Sequence, residues 1–201
     1  MDEFKNEPLL NFEDEKNKKQ MEQALECARK EFGKEYPLII GEENILTSEK
    51  IDSINPSNIN EIIGSVSKAN EELSDHAIKT AFNTFKVWKN VNYEKRAQIC
   101  LKAAKILREK RFEFSALMIF ETGKNWIEAD ADVAEAIDFL DFYGREMKRY
   151  GSEQPLTRIP NEKNELLYIP LGVGIIIPPW NFPLAILVGM TSAAFVTGNT
   201  V

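Results

Sequence analysis

The chain has little histidine and little cysteine: His76 is its one imidazole, and Cys27 and Cys100 are its only thiols, in 201 residues. Neither cysteine stands at a metal-ligand spacing, so no metal site is expected. Positive charge is also scarce. Lys and Arg number 25 against 32 Asp and Glu, and the net charge of -7 comes with basic residues interspersed among acids. Nucleic acid and anionic membrane both call for clustered cations, and neither is expected as a partner. No apolar leader follows the acidic start, and the two cysteines suit a reducing, cytoplasmic setting. Long apolar runs are missing except over residues 171–201, which carry no charged side chain. That stretch is broken by Pro178, Pro179, Pro183 and Gly189. Its helical part, 184–196, is shorter than the ~20 residues that cross a bilayer, so a buried core helix is expected.

What is present is ample for a core, with 43% hydrophobic and 10% aromatic residues. Residues 1–35 mix Glu, Lys and Gln with sparse Met21, Leu25 and Phe32, and read as a helical arm ended by Gly33. Between 36 and 66, short β-rich runs alternate with turn residues and predict two or three small antiparallel strands. Ser74 is placed to cap a helix with Ala77, Ile78, Ala81, Phe82, Phe85 and Trp88 at helical spacing. Asn92 begins a second, with Ala97, Cys100, Leu101, Ala104 and Leu107 on one face, and the pattern runs on to Gly123. Asn125 begins a third long helix, with Glu128 at the capping-box position. This helix has two apolar stripes, Trp126, Val133, Ile137 and Leu140 on one and Ala131, Phe139 and Phe142 beside Glu135 on the other. Two such faces imply burial between two bodies. Residues 151–169 read as a β-hairpin with its turn at 160–164.

The uncharged segment contains Gly172, Gly174 and an isoleucine run, then Pro178-Pro179-Trp180-Asn181-Phe182-Pro183. The β-branched run reads as a buried strand, the prolines end it, and Pro183 suits the first turn of a helix. Asn181, a neutral amide donor, is left at a strand-to-helix corner. On spacing alone it serves equally as a helix cap or as a hydrogen-bond donor to a ligand. The two glycines do not make a dinucleotide fingerprint, because the third is missing and they precede the strand. Cys27 in a polar helix and Cys100 on an apolar face do not resemble activated thiolates.

Taken together, residues 120–124 (Phe-Glu-Thr-Gly-Lys), the corner at 179–183 and Thr197-Gly198-Asn199-Thr200 resemble the aldehyde dehydrogenase superfamily. Residues 68–70, 113–117, 123–126, 128–132 and 134–139 bring the resemblance closer to its branch acting on 1-pyrroline-5-carboxylate, that is, on L-glutamate γ-semialdehyde. It extends over essentially the whole chain. The resemblance implies an α/β fold of aldehyde dehydrogenase type, incomplete here. Its divisions are an arm (1–35), the first part of a cofactor-binding domain (36–150), an oligomerisation hairpin (151–170) and the first strand, Asn corner and helix of a Rossmann-like unit (171–201).

It further implies NAD-dependent oxidation of L-glutamate 5-semialdehyde to L-glutamate in proline catabolism. In that family a cysteine thiolate attacks the aldehyde and an asparagine stabilises the oxyanion, the role that falls to Asn181. Ile177, Pro178, Pro179 and Trp180 match the strand end bordering NAD. Glu135 matches a carboxylate that meets the substrate's α-ammonium group, and Phe182 an aromatic pocket wall. Glu121 and Lys124 match a signature expected to be structural. The partner implied is a small aldehyde, with homo-oligomers formed by the full-length enzyme. The family's cysteine nucleophile and glutamate base lie beyond the matched positions, so the chain is expected to be an inactive fragment. The alternatives are a dehydrogenase of another aldehyde, or a non-catalytic assembly fragment.

Overall fold

The computed structural model describes residues 3–201. Eleven elements follow one another: α1 (Glu15–Lys30), β1 (Lys34–Tyr36), β2 (Leu38–Ile40), β3 (Glu43–Ile45), β4 (Lys50–Ile54), β5 (Ile62–Ser67), α2 (Glu71–Trp88), α3 (Tyr93–Glu109), α4 (Arg111–Thr122), α5 (Trp126–Gly151) and α6 (Ala185–Val196). The helix starts are chosen by short polar side chains that compete for the backbone. Asp14, Asn92 and Asn125 each accept an N–H of the first turn, at 2.8, 2.7 and 2.9 Å. At α2 the cap is Asn70, whose Oδ1 accepts the Leu73 N–H at 2.9 Å, and not Ser74. Ser74 lies one turn inside and returns its hydroxyl to the Asn70 carbonyl. Gly123 ends α4 at φ +70°, a conformation that only a residue without Cβ adopts freely.

The strands depart from the antiparallel expectation. β5 is the centre of a three-stranded sheet in the order β1-β5-β4, with β4 antiparallel to it but β1 parallel. β2 and β3 form a separate hairpin. A parallel neighbour arrives by a long connection, here the whole of β2 to β4, and short-range turn signals carry no trace of it.

α5 is the axis of the molecule. Its buried Val133, Ala136, Ile137 and Leu140 pack with Ala97, Cys100, Ala104 and Leu107 of α3, Met118 of α4 and Val196 of α6. Gly144 lets α5 approach α3 closely, since a Cβ there would stand 3.2 Å from the Ala97 carbonyl oxygen and the Cys100 Cβ. α6 packs on α5 as well, with Asp132 at Ala185 and Phe139 at Gly189, and it also touches α3. The N-terminal segment crosses α5 as well. Asp138 accepts from Asn6 Nδ2 and the Glu7 N–H, both at 2.7 Å, and buried Asp130 accepts from the Leu10 N–H at 2.8 Å while pairing with Arg111.

Two expected β elements are not built. Residues 153–169 keep a turn, with Asn161 at φ +66° and the Glu162 N–H on the Ile159 carbonyl, but carry no ladder. A two-stranded hairpin is marginal on its own, and among the described residues no strand pairs with this segment. Residues 171–177 are likewise not a named strand. Their one β contact is a parallel bridge between Val173 and Thr200. That bridge, across α6, is the start of a β-α-β crossover. Among the described residues no helix is long and apolar enough to cross a membrane.

Candidate active-site corner

Residues 178–184 turn from the extended segment into α6, and the helix begins at Ala185 with Leu184 as its cap residue. Pro183 therefore precedes the helix rather than opening it. Leu184 has no capping side chain, and Asn181 is not the cap. Of the two roles its position allows, local capping is not the one in use. Asn181 is exposed at the turn with its amide free of the helix.

The cap comes from another element. Asp132, on α5 and 1% exposed, accepts the Ala185 N–H on Oδ1 at 2.7 Å. Its Oδ2 takes the ammonium of Lys124, from the α4–α5 connection. A carboxylate at the start of α6 meets the positive end of the helix dipole. At the other end, the buried guanidinium of Arg96 donates to the Val196 carbonyl at 2.8 Å, and the Trp88 indole N–H donates to the Phe195 carbonyl at 2.9 Å. Desolvation lowers the pKa of Arg96, so the cation sits there against its hydration and in favour of the helix C-terminus.

The start of the segment is fixed by Asn199. Its Oδ1 accepts the N–H groups of Leu171 and Gly172 at 2.6 and 2.9 Å, and its Nδ2 donates to the Ala194 carbonyl at 3.1 Å. Gly198, at φ +99°, makes the turn that aims it. Thr200 then pairs with the same segment through Gly174 N–H to Thr200 O at 2.8 Å and Thr200 N–H to Gly172 O at 3.1 Å. The extended run is anchored at its start, and the corner projects from its far end.

Lys124 links the corner to α5. Its Nζ lies 4.4 Å from the centroid of the Phe182 ring while its charge is paired with Asp132. Glu135, one turn along α5, feels the same ammonium. Its pKa is raised, first by burial, then by the charges of Asp132 and Asp138, with Lys124 opposing. Glu135 has no ion-pair partner among the described residues, and Lys124 is spent on its neighbour. Glu135 and Phe182 thus both neighbour the ammonium of Lys124, and Asn181 precedes Phe182 in the turn that leads into α6. Ile177 and Trp180 are 80% and 82% exposed, giving an open apolar wall on the extended side, with Pro178 and Pro179 between them.

The larger cavities lie elsewhere. A 720 Å³ hollow is lined by Tyr143, Tyr150 and Tyr168, and a 610 Å³ apolar groove by Leu73, Ile78 and Ile175. Neither is lined by Asn181, Phe182 or Glu135. The corner is a wall rather than an enclosed pocket. No cysteine serves it: Cys100 is fully buried, its thiol pushed up to about 12 by desolvation, and Cys27 is exposed on α1. Among the described residues no group of three or more His, Cys, Asp or Glu could hold a metal ion. Glu121 accepts the Ser53 hydroxyl at 2.9 Å, tying α4 to β4 away from the corner.

Asp132, Asn199 and Arg96 are the residues that sequence reasoning passed over. Asp132 carried one usable signal, a second acid three residues before Glu135 beside the Phe139 stripe. Asn199 lay inside a motif already singled out, and its role depends on a partner 28 residues earlier.

An apolar extended segment entering a corner, a helix and a parallel return is the start of a β-α-β unit. Residues 45–201 match the aldehyde dehydrogenase family, and the chain belongs to it. It is 54% identical over 198 residues to 1-pyrroline-5-carboxylate dehydrogenase of Geobacillus sp. strain WCH70, covering 98% of this chain and 38% of that protein. Among solved structures, 1-pyrroline-5-carboxylate dehydrogenase from Thermus with bound NAD is 43% identical, with a TM-score of 0.95 over 100% of this chain and 39% of that one. Proline utilization A from Bdellovibrio bacteriovorus is 38% identical, with a TM-score of 0.97 over 99% of this chain and 21% of that one. The chain spans about two fifths of the length of the curated relatives it matches.

Proposed function

We propose that these residues form the N-terminal part of an NAD-dependent dehydrogenase of L-glutamate 5-semialdehyde, acting in proline breakdown. The observation that carries this reading is the common neighbourhood of Glu135 and Phe182 around Lys124, beside the free amide of Asn181. A substrate with an aldehyde at one end and an α-ammonium at the other requires a neutral donor and an unpaired carboxylate on one wall. Asn181 donates an N–H to the aldehyde oxygen, where charge develops as a thiolate adds to the carbonyl carbon. An amide does this without a charge that would titrate. Glu135 takes the ammonium, and Phe182 packs against the carbon chain between them.

The open apolar surface of Ile177, Pro178, Pro179 and Trp180 fits the flat rings of a dinucleotide. NAD, when bound, supplies the hydride acceptor; these four residues exclude water from one face of it. Neither Cys27 nor Cys100 suits the nucleophile, so the 201 residues alone are inactive in this proposal. The same proposal divides the chain into an arm (1–35), a cofactor-domain portion (36–150), an assembly segment (151–170) through which the full-length enzyme forms homo-oligomers, and the corner unit (171–201). Two unbonded cysteines suit a cytoplasmic enzyme.

The test is a chain completed with the part of the Geobacillus relative that lies beyond its matched portion, assayed by NADH formation. Asn181→Ala should lower kcat by about 100-fold or more. Glu135→Ala should raise KM for glutamate semialdehyde far more than KM for propanal. Equal effects on the two aldehydes would remove Glu135 from substrate recognition.

A further inference from the structure

The corner has no capping residue of its own. Pro183 lacks an N–H, Leu184 lacks a side-chain acceptor, and the first turn of α6 is entirely apolar. The donor that remains at Ala185 is satisfied by a side chain 53 residues earlier in the chain. The carboxylate that does this is buried, and so is most of the lysine it pairs with, at 12% side-chain exposure. Buried ion pairs are a poor source of stability, because desolvation consumes most of the Coulombic gain, and an apolar pair of similar volume often serves as well. Their attested use is geometric. Here the two carboxylate oxygens are divided, one on a main-chain N–H of α6 and one on an ammonium that faces the Phe182 ring. A shift of Asp132 therefore moves the helix start and the aromatic wall together.

We infer that Asp132 and Lys124 are positioning residues for this corner: Asp132 sets where α6 begins, and hence where the Asn181 amide points, and Lys124 sets the plane of Phe182. The inference rests on the proposed roles of Asn181 and Phe182, but it can be read without activity. In the 201-residue chain, exchange of the Ala185 amide should quicken roughly tenfold or more in Asp132→Ala, the worth of a hydrogen bond to a charged group. The Asn181 side-chain amide and Phe182 ring resonances should move with it. Asp132→Asn keeps a carbonyl acceptor for Ala185, and there the Ala185 protection should return while the Phe182 ring stays displaced. Lys124→Met should displace Phe182 and leave Ala185 protected.

In the completed enzyme, Asp132→Ala should lower kcat by roughly 10- to 100-fold, the scale of a reacting group displaced by about an ångström. Asp132→Asn should recover most of kcat, and Lys124→Met should act mainly on KM. A purely structural pair would lower the unfolding midpoint without this kcat and KM division. Unmoved Ala185, Asn181 and Phe182 signals in Asp132→Ala overturn the inference, and so does an unchanged kcat. If Asp132→Ala does not fold, Asp132→Asn and Lys124→Met replace it: a protected Ala185 with a displaced Phe182 ring in both supports the inference, and an unmoved ring in both overturns it. A completed chain inactive on glutamate semialdehyde, with the resonances moving as described, refutes the substrate reading and leaves the positioning established.

Discussion

Glu135 carries its charge in a place that resists it. Burial and the charges of Asp132 and Asp138 raise its pKa above the ordinary 4.5. The native state therefore holds this proton more tightly than the unfolded chain does. The group contributes stability below pH 4.5, and that contribution is lost as pH rises through the raised native value. At neutral pH the ionised carboxylate is a cost to the fold. Glu135→Gln should raise the urea midpoint at pH 7, by up to roughly 0.5 kcal/mol in stability, and flatten its fall above pH 4.5. A lower midpoint would mean that the charge is already compensated in the folded chain. Glu135 could be picked out in the sequence because a lone acid beside Phe139 and Phe142 breaks an apolar stripe. Asp132 lies three residues before Glu135 on the same side of the helix, but its meaning lies in Ala185 and Lys124, and no spacing rule joins those three.

At the crossing of α5 and α6, Gly189 leaves room for an aromatic ring of α5. A Cβ on Gly189 would fall 2.8 Å from the ring of Phe139, and that ring is stacked on Tyr143 at 5.8 Å between centroids, so it has no easy retreat. Gly189→Ala gains helix propensity and should still lose about 1–3 kcal/mol by overpacking, measured by denaturant unfolding. Phe139→Leu in the same chain should return part of that loss, since it removes the obstructing edge. Helix limits such as Asn92, Gly123 and Asn125 were legible because a cap acts within four residues of itself. The parallel union of β1 with β5 was not, because its partners are brought together by everything between them. Residues 153–169 show the converse. Their turn chemistry at Asn161 is local and present, whereas the ladder needs a neighbouring strand that the 201 residues do not place there.

Across the whole molecule, apolar side chains are exposed along one continuous length of chain, with Leu167, Ile169, Leu171, Ile175, Ile177 and Trp180 all more than 70% exposed. The same stretch forms no β ladder beyond the single bridge at Val173, and its other backbone ties are the Leu171 and Gly172 N–H groups held by Asn199. Exposed apolar strand edges recruit other chains. The 201-residue chain should bind a hydrophobic dye and self-associate with rising concentration in sedimentation velocity, and completion with the relative's remaining part should suppress both. A monodisperse chain that ignores the dye would show that this stretch finds cover of its own. The bonds that hold α6 have a direction in time. Asp132, Arg96, Trp88 and Ala81 reach Ala185, Val196, Phe195 and Thr200 across 53, 100, 107 and 119 residues, and in each case the earlier residue belongs to α2, α3 or α5. A ribosome makes those receptors first. By the time Asn181 leaves the exit tunnel, the seat that will orient it has already been synthesised, and the corner is laid onto a template rather than left to find its own shape.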